Sequence, residues 1–255
     1  MRLIAANAKV IGGWLIGAIF VVLSGCGGGS GSSTSETQPP PVQNADGIWR
    51  GVTVDKDRTC EVYMMTCSGE MVAFSSSSSD CAAVYKGSFT VNGNNFSGES
   101  EAYAIGGKKG GSVTFSGTVA EQSNMSGNFS SSNGNTGTYD FTYGQGSDHP
   151  SSLEQVEGTW AYSYPDGSFV NAVIDSQGEI SGSDSNGCVF TGVISLMDPD
   201  KSIYSIDYDV SQCAAHNGSY DGLAALGTDT DTRNDEIIFV AASGDYSALH
   251  VLMRQ

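Results

Sequence analysis

Apolar and polar residues alternate with a period of two along most of the chain from Asp46 to the C-terminus. Such alternation predicts β-strands that bury one face, and no convincing helical period competes with it. Turn-forming residues separate the alternating segments at intervals of about 8–12 residues, a spacing typical of all-β sandwiches and barrels. We therefore predict an all-β fold of small antiparallel meander barrels or sandwiches with about eight strands each.

The alternating pattern occurs twice, and both halves contain similar short motifs in the same order. This predicts two related β domains in tandem, over residues 46–146 and 153–255, joined near GQGSDHPSS at 144–152. The matching pairs are DGIWRG (46–51) with VEGTWAY (156–162), SGEM (68–71) with QGEI (177–180), and CAAVYKG (81–87) with CVFTG (188–192).

Two hairpins in the first half have a predictable register. Asn92-Gly93 is a strong signal for a two-residue turn, and pairing around it places Phe89 opposite Phe96. The following hairpin pairs Phe115 with Phe129 and keeps apolar residues on one face.

Glycines form rows across the predicted strands beside these aromatic residues, as in the facing pair Gly117 and Gly127. Glycine within a strand marks a sharp bend or the close approach of another group. We favour a structural interpretation, in which the glycines let a small sheet coil and bulky neighbours such as Trp49 fill the gap. The alternative is a cavity floor for a small ligand.

The N-terminal segment has a positive start at Arg2 and Lys9, followed by an apolar run over residues 10–23. A run of about 14 residues is too short to cross a bilayer as a helix, but it fits a secretory signal peptide. The run ends in LSGC (23–26), which resembles the lipobox of bacterial lipoproteins. The resemblance implies cleavage before Cys26, a diacylglyceryl thioether on its sulfur, and acylation of its new amine, for example with palmitate. The alternative is an uncleaved anchor with an idle thiol.

The predicted signal peptide covers residues 1–25, and a tether rich in Gly, Ser and Pro follows over residues 26–45. Such a composition buries no core, and about 18 residues of it have a root-mean-square reach of about 25 Å. Gly27 stands after the lipobox cysteine, where an Asp is the usual signal for retention in the inner membrane. By that family rule the resemblance implies a lipid anchor in the outer membrane, with a periplasmic or a surface orientation left open.

The charge of the chain limits its partners. The chain has 11 basic and 28 acidic residues, and removal of Arg2 and Lys9 with the leader changes its formal net charge from −17 to −19. Such a negative field disfavours nucleic acid and anionic lipid headgroups. It is compatible with a cationic protein partner or with metal ions, but a plainly solvated surface is the favoured interpretation.

The cysteines of the second half predict a disulfide. Exported chains retain disulfides, and Cys188 and Cys213 flank one predicted hairpin. When the apolar faces of its two strands are paired, Cys188 and Cys213 are not opposite each other but out of register by one residue. We predict a Cys188–Cys213 disulfide and a β-bulge at Ser211-Gln212 that supplies the missing residue.

The first half contains three cysteines. Cys60 and Cys81 lie at the same end of their predicted strands, so we favour a disulfide between them, with Cys67 as a free thiol. The bonds are predicted to be structural, because a Cys-x-x-Cys redox motif is absent from the sequence.

Motifs for catalysis and metal binding are absent from the sequence. Neither Gly-x-Ser-x-Gly nor Ser-x-x-Lys occurs, and His149, His216 and His250 fit no zinc-binding spacing. The segment GGKKGGS (106–112) lacks the spacing of a phosphate-binding loop and is interpreted as a basic hairpin tip. We therefore predict no catalytic residue, no metal, no cofactor and no enzymatic activity.

The second half, with GEISGSDSNGCVFTG (178–192) and YDVSQC (208–213), is similar to a group of uncharacterised two-domain β-rich outer-membrane lipoproteins. That group offers no catalytic residues to transfer. We therefore expect a non-enzymatic binding or interaction module that is attached to the membrane through Cys26.

Two alternatives to this function remain. The first is a periplasmic inhibitor of a cationic enzyme, because some lysozyme inhibitors are acidic lipoproteins with a small disulfide-linked barrel. The second is a lipocalin-like carrier, because Gly-x-Trp at the start of a barrel strand resembles that family. A carrier requires a closed barrel with an apolar pocket of about 300 Å³ or more. A domain of about 100 residues leaves little interior room, which disfavours a small ligand.

Overall fold

The computed structural model describes residues 43–56, 58–75, 78, 80–214, 216–227 and 235–255. Within these residues the strands form two closed barrels in tandem, each with eight antiparallel strands. The predicted all-β fold with two units of eight strands is confirmed, and both units are barrels and not sandwiches. No helix in the described ranges is long and apolar enough to cross a membrane.

The first barrel is an antiparallel meander whose strands are β1 (Gly47–Asp55), β2 (Thr59–Cys67), β3 (Glu70–Ser75), β4 (Ala83–Asn92), β5 (Asn95–Tyr103), β6 (Lys109–Ala120), β7 (Asn124–Ser131) and β8 (Thr136–Tyr143). Each strand pairs with its successor, and β1 also pairs with β8, from Trp49 opposite Tyr143 to Asp55 opposite Gly137. This last pairing closes the sheet, so no strand edge is left unpaired.

A 3₁₀ helix (Gln145–Asp148) and the one-turn helix α1 (Leu153–Val156) lead into the second barrel. Pairing of β16 with β9 at Arg254 and Trp160 closes it. In each barrel we call the end where the first strand begins the base and the opposite end the mouth. The second-barrel strands are β9 (Gly158–Ser163), β10 (Phe169–Ile174), β11 (Glu179–Asp184), β12 (Val189–Leu196), β13 (Ile203–Ser211), β14 (Gly218–Leu226), β15 (Glu236–Ala242) and β16 (Ser247–Arg254).

A tryptophan closes the base of each barrel in the same way. Trp49 and Trp160 are both fully buried. The indole Nε1 of each donates a hydrogen bond to the carbonyl oxygen four residues earlier, at 3.0 Å to Ala45 and 2.8 Å to Val156. Because the same contact occurs at equivalent positions, the repeat seen in the sequence is also a repeat of structure.

The glycine two residues before each tryptophan is required by its backbone conformation. Gly47 and Gly158 have φ values of +152° and +140°. Residues other than glycine rarely adopt this backbone conformation. A Cβ on Gly47 would also lie 2.3 Å from the Tyr143 ring. In the second barrel the Arg254 guanidinium lies 4.2 Å from the centre of the Trp160 ring and covers it. Conformation and packing together explain the shared Gly-x-Trp motif.

The predicted register of the first hairpin is wrong by two residues. The structure pairs Phe89 with Gly98 and not with Phe96, because the turn is Gly93-Asn94, one residue later than predicted. Only the glycine of this turn has a positive φ, +62°, as in a type II′ turn. A shift of two residues preserves the faces of a strand, so Phe89 and Phe96 still share the interior, with ring centroids 5.2 Å apart.

The register of the second hairpin is confirmed, since Phe115 lies opposite Phe129 and Gly117 opposite Gly127. Aromatic groups from the sheet itself cover these glycines. A Cβ on Gly117 or on Gly127 would lie 2.6 Å from the hydroxyl oxygen of Tyr139. The glycines thus make room for neighbouring rings, as the structural interpretation requires, although the covering group is a tyrosine and not Trp49.

The two barrels pack side by side, and Pro41–Gln255 form one compact unit. At the mouth end the Tyr103 hydroxyl donates to the Ser243 carbonyl at 3.1 Å. At the base end the Lys201 ammonium donates to the Tyr143 hydroxyl at 2.7 Å. Both mouths therefore open on the same side. The shared apolar core includes Tyr63, Met65, Cys67 and Val84 of the first barrel and Ile203, Leu223, Ile238 and Val240 of the second.

Candidate functional site

The second barrel has an open cavity of about 660 Å³ at its mouth. Below it lies a pocket of about 30 Å³, and the base is filled by buried side chains that include Trp160, Ile194 and Ile206. The cavity is therefore a cup with a packed floor and not a channel. Its lining includes Tyr164, Phe190, Tyr208, His216, Tyr220 and His250.

Aromatic rings from four strands form the inner wall of this cup. Strand alternation points Phe190, Tyr208, Tyr220 and His250 into the barrel from β12, β13, β14 and β16. The Tyr208 and Tyr220 rings stack with centroids 5.5 Å apart. The Phe190 ring lies 6.4 Å from Tyr208 and 6.0 Å from His250. The wall can therefore stack against an apolar ring or chain.

Two buried polar atoms in this wall have no hydrogen-bond partner among the described residues: the Tyr208 hydroxyl oxygen and His250 Nδ1. Burial raises the pKa of Tyr208. Burial also lowers the pKa of His250, against an opposing effect of the Asp184 carboxylate. Both groups are consequently neutral at neutral pH. A buried polar group without a partner costs about 1–3 kcal/mol, which a ligand with a matching group would recover.

The rim of the cup is held by a disulfide and by one carboxylate. Cys188 and Cys213, with Cα atoms 4.5 Å apart, join the segment before β12 to the segment after β13. The Asp184 carboxylate accepts the backbone N–H groups of Asn186 at 2.8 Å and Cys188 at 3.0 Å. Both bonds end on Oδ1 of Asp184, the only acidic side chain in the described lining, and they fix the loop that carries the disulfide.

The first barrel contributes to the same rim. Ile105 belongs to its β5–β6 turn and lines the second-barrel cavity together with Tyr164. Their exposed fractions are 38% and 37%, so both present apolar surface to solvent at the opening. Ser247 of the second barrel holds the turn: its N–H donates to the Gly107 carbonyl at 3.0 Å and its hydroxyl to the Ala104 carbonyl at 2.7 Å.

The first barrel has a smaller cavity at its own mouth end, of about 260 Å³. Sites for drug-sized molecules range from about 300 to 1,000 Å³, so only the second-barrel cup falls within that range. We therefore take the cup as the candidate functional site.

The predicted disulfides Cys60–Cys81 and Cys188–Cys213 are both present. Cys67 is a free, buried thiol within the core shared by the barrels, and burial raises its pKa to about 11. Such a thiol is protonated and unreactive at neutral pH.

The extra residue predicted between Cys188 and Cys213 is found outside the ladder. The strands pair as predicted, and Val189 opposite Ser211 is the last pair. Gln212 follows in the left-handed region with φ of +57°. The predicted β-bulge is therefore not present; instead, the left-handed Gln212 just after β13 turns the chain and brings Cys213 toward Cys188.

The predicted signal peptide, the lipidation residue Cys26 and most of the tether lie outside the described residues. The last three tether residues, 43–45, are described, and Ala45 is buried against Trp49 with 1% exposure. No group of three or more His, Cys, Asp or Glu side chains within the described ranges is arranged to hold a metal ion.

The aromatic residues of the cup were not predicted from the sequence to form a binding site. A usable signal was present, because inward positions near the mouth of β12, β13 and β14 are Phe190, Tyr208 and Tyr220, whereas those near the base are mostly aliphatic. The contact of His250 with Phe190 was not predictable, because it depends on barrel closure. Comparison of the chain with protein-family models, curated proteins and solved structures found no match.

Proposed function

We propose that the protein is a non-enzymatic, lipid-anchored binding module of the bacterial outer membrane, and that the mouth of its second barrel binds a small neutral organic molecule. The observation that carries the proposal is an open cavity of about 660 Å³ whose wall contains the unpartnered Tyr208 hydroxyl and His250 Nδ1. The apolar residues Ile105 and Tyr164, exposed at the opening, add surface that a ligand would cover.

The lining determines the class of ligand. Stacked and edge-on rings favour an apolar or aromatic body, and two unpartnered polar atoms favour a hydroxyl, carbonyl or amide group. Burying a charge without a counter-charge is costly. Because His250 is neutral and the described lining contains no Lys or Arg, an anionic ligand would find no counter-charge there. The Asp184 carboxylate is engaged in holding the rim loop through Oδ1. The ligand is therefore expected to be uncharged.

The size of the cup changes the expectation that a small ligand is disfavoured. That expectation assumed that side chains fill a barrel of about 100 residues throughout. The interior is packed at the base around Trp160, but the upper part is open and lies between the disulfide-held rim and the β5–β6 turn. The room for a ligand therefore comes from the mouth and not from a hollow centre.

Membrane attachment through Cys26 is supported by the lipobox motif and by the tether that follows it. Metabolic labelling with radioactive palmitate should mark the wild-type protein and a Cys67→Ser variant, which keeps the motif. A Cys26→Ser variant should lose the label and leave the membrane fraction. Label retained in Cys26→Ser would contradict lipidation at this cysteine.

Ligand binding is tested with N-phenyl-1-naphthylamine, a neutral aromatic probe whose fluorescence rises in apolar sites, and the soluble chain from Gly27. Ala248 lines the cup and Ala83 lines the cavity of the first barrel. Ala248→Phe should fill the cup and weaken binding about tenfold or more, whereas Ala83→Phe should leave the second barrel unchanged. Circular dichroism checks that both variants fold. No saturable fluorescence, or equal binding by the two variants, would contradict the proposed site.

A further inference from the structure

We infer that the interior of the first barrel is a second, independent ligand site, for an uncharged single-ring or similarly small molecule that carries a hydrogen-bond acceptor. It differs from the cup in size, lining and polar contacts. The two cavities share no lining residue in the described part of the chain, so the inference does not depend on the proposed function of the second barrel.

The wall of this cavity is largely apolar. Its volume is about 260 Å³, and thioether and aromatic side chains dominate its wall: Met64, Met71, Phe96, Phe115, Phe129 and Phe141. An apolar cavity of about 150 Å³ is enough to bind benzene in an engineered protein. The first barrel therefore has room for one aromatic ring with a short substituent.

A buried hydroxyl group without a partner belongs to a side chain that lines this cavity. Tyr139 lines the cavity, is only 5% exposed, and its hydroxyl oxygen has no hydrogen-bond partner among the described residues. Because a Cβ on Gly117 or Gly127 would lie 2.6 Å from that oxygen, the facing glycines create the space that the hydroxyl occupies. Burial raises the pKa of Tyr139 to about 12, so the group is a donor that lacks an acceptor.

The one cationic side chain in the described lining, Arg58, is already paired. Arg58 donates from Nε and Nη2 to the Asp55 carboxylate, at 3.1 and 2.6 Å, and from Nη1 to the Asp80 carbonyl at 2.7 Å. Each of its nitrogens therefore has a partner, and the Asp55 carboxylate offsets the positive charge that an anionic ligand would need. The Cys60–Cys81 disulfide, with Cα atoms 5.5 Å apart, fixes the same end of the barrel. The cavity consequently selects an uncharged molecule.

The test uses the soluble chain from Gly27 with ¹³C-labelled methionine methyl groups, observed by NMR. Acetophenone supplies a ring with a carbonyl acceptor, and ethylbenzene is a probe of similar size without one. Both should shift the methyl signals of Met64 and Met71, which line the cavity, and leave Met197 and Met253 of the second barrel unshifted. Acetophenone should bind about fivefold more tightly, because its carbonyl accepts the free hydroxyl group.

Three variants separate the outcomes. Tyr139→Phe should abolish the preference for acetophenone and keep ethylbenzene binding, which a merely structural role of the hydroxyl would not do. Ala83→Phe should abolish both sets of shifts, whereas Ala248→Phe should preserve them even if it blocks the second barrel. Absence of saturable Met64 and Met71 shifts in the wild type would overturn the site. An unchanged preference in Tyr139→Phe would overturn the role of the hydroxyl.

Discussion

At the scale of single residues, His250 links the apolar wall of the cup to a dependence of stability on pH. Burial lowers the pKa of His250 in the folded protein, while the Asp184 carboxylate acts in the opposite direction. In the unfolded chain the pKa of histidine is about 6.5. As the pH falls below about 6.5, the unfolded state binds a proton that the folded state does not, so the free energy of unfolding decreases down to the folded pKa. Above that window the contribution is constant.

Replacement of His250 by Phe should therefore make the protein less sensitive to acid. The loss of stability between pH 7.5 and 5.5, measured by urea unfolding, should be smaller in His250→Phe than in the wild type. The difference is bounded by about 1.4 kcal/mol per pH unit for one proton. His216→Phe changes the other histidine of the cup and serves as the control. An identical pH dependence of His250→Phe and the wild type would contradict the prediction.

The glycines of the Gly-x-Trp motifs give a second prediction at this scale. Gly47→Ala and Gly158→Ala should each lower the free energy of unfolding by about 1–3 kcal/mol, because both residues have a positive φ. Gly110→Ala is the control, since a Cβ there would make only an ordinary contact, 3.8 Å from the Ala102 carbonyl. Chemical denaturation of the three variants checks this. A cost for Gly110→Ala as large as for the other two would show that φ is not the cause.

At this scale, the disulfides could be predicted from the sequence, whereas most residues of the candidate ligand sites could not. Cys188 and Cys213 were predictable because a hairpin register restricts which side chains meet across it. For His250, on β16, alternation gives the face of the side chain but not its depth or its neighbours. The unpartnered Tyr139 hydroxyl was equally hidden, since it depends on the space above Gly127, the ladder partner of Tyr139 on β7, and Gly117 on β6.

At the scale of elements, the β5–β6 turn joins the first barrel to the site of the second. Its Ile105 lines the cup and is 38% exposed. If the proposed ligand site is correct, Ile105→Ala should weaken binding of N-phenyl-1-naphthylamine about threefold, because apolar contact area is lost. Val54→Ala removes an equally exposed residue, 40%, that does not line the cup, and should bind as the wild type does. Equal affinities of the two variants would exclude a role of the turn in binding.

Several strands depart from simple alternation, and the departures mark the contact between the barrels. Strand β2 contains VYMMTC (62–67), which is buried at every position, and β15 contains IIFVAA (237–242), which is buried likewise. One face of each strand points into its own barrel and the other face packs on the neighbouring barrel. Continuous apolar runs are the expected result of burial on both faces. The sequence therefore contained a signal for this interface that the period-two pattern concealed.

At the scale of the whole molecule, apolar packing and polar contacts couple the two barrels. Leu223 and Val240 of the second barrel are fully buried in the shared core. At the base the Lys201 ammonium contacts the Asp148 carboxylate and the Tyr143 hydroxyl of the first barrel side. Burial alone would raise the pKa of Asp148, but the hydrogen bonds from Lys201 and Tyr143 outweigh it and lower the pKa. The contacts at both ends and in the middle indicate that neither barrel is independent of the other.

This coupling predicts a single cooperative unfolding transition, which the tryptophans can report. The chain has three tryptophans, and beyond the predicted leader Trp49 lies in the first barrel and Trp160 in the second. In Trp49→Phe the first barrel is weakened, and fluorescence reports only the second barrel while circular dichroism reports both. Urea transitions from the two signals should coincide, and the midpoint of both should shift together from that of the wild type.

If the barrels were independent, circular dichroism would become biphasic while the fluorescence midpoint of Trp160 stayed unchanged. Trp160→Phe provides the reciprocal measurement, and in it the Trp49 signal should follow the loss of the second barrel.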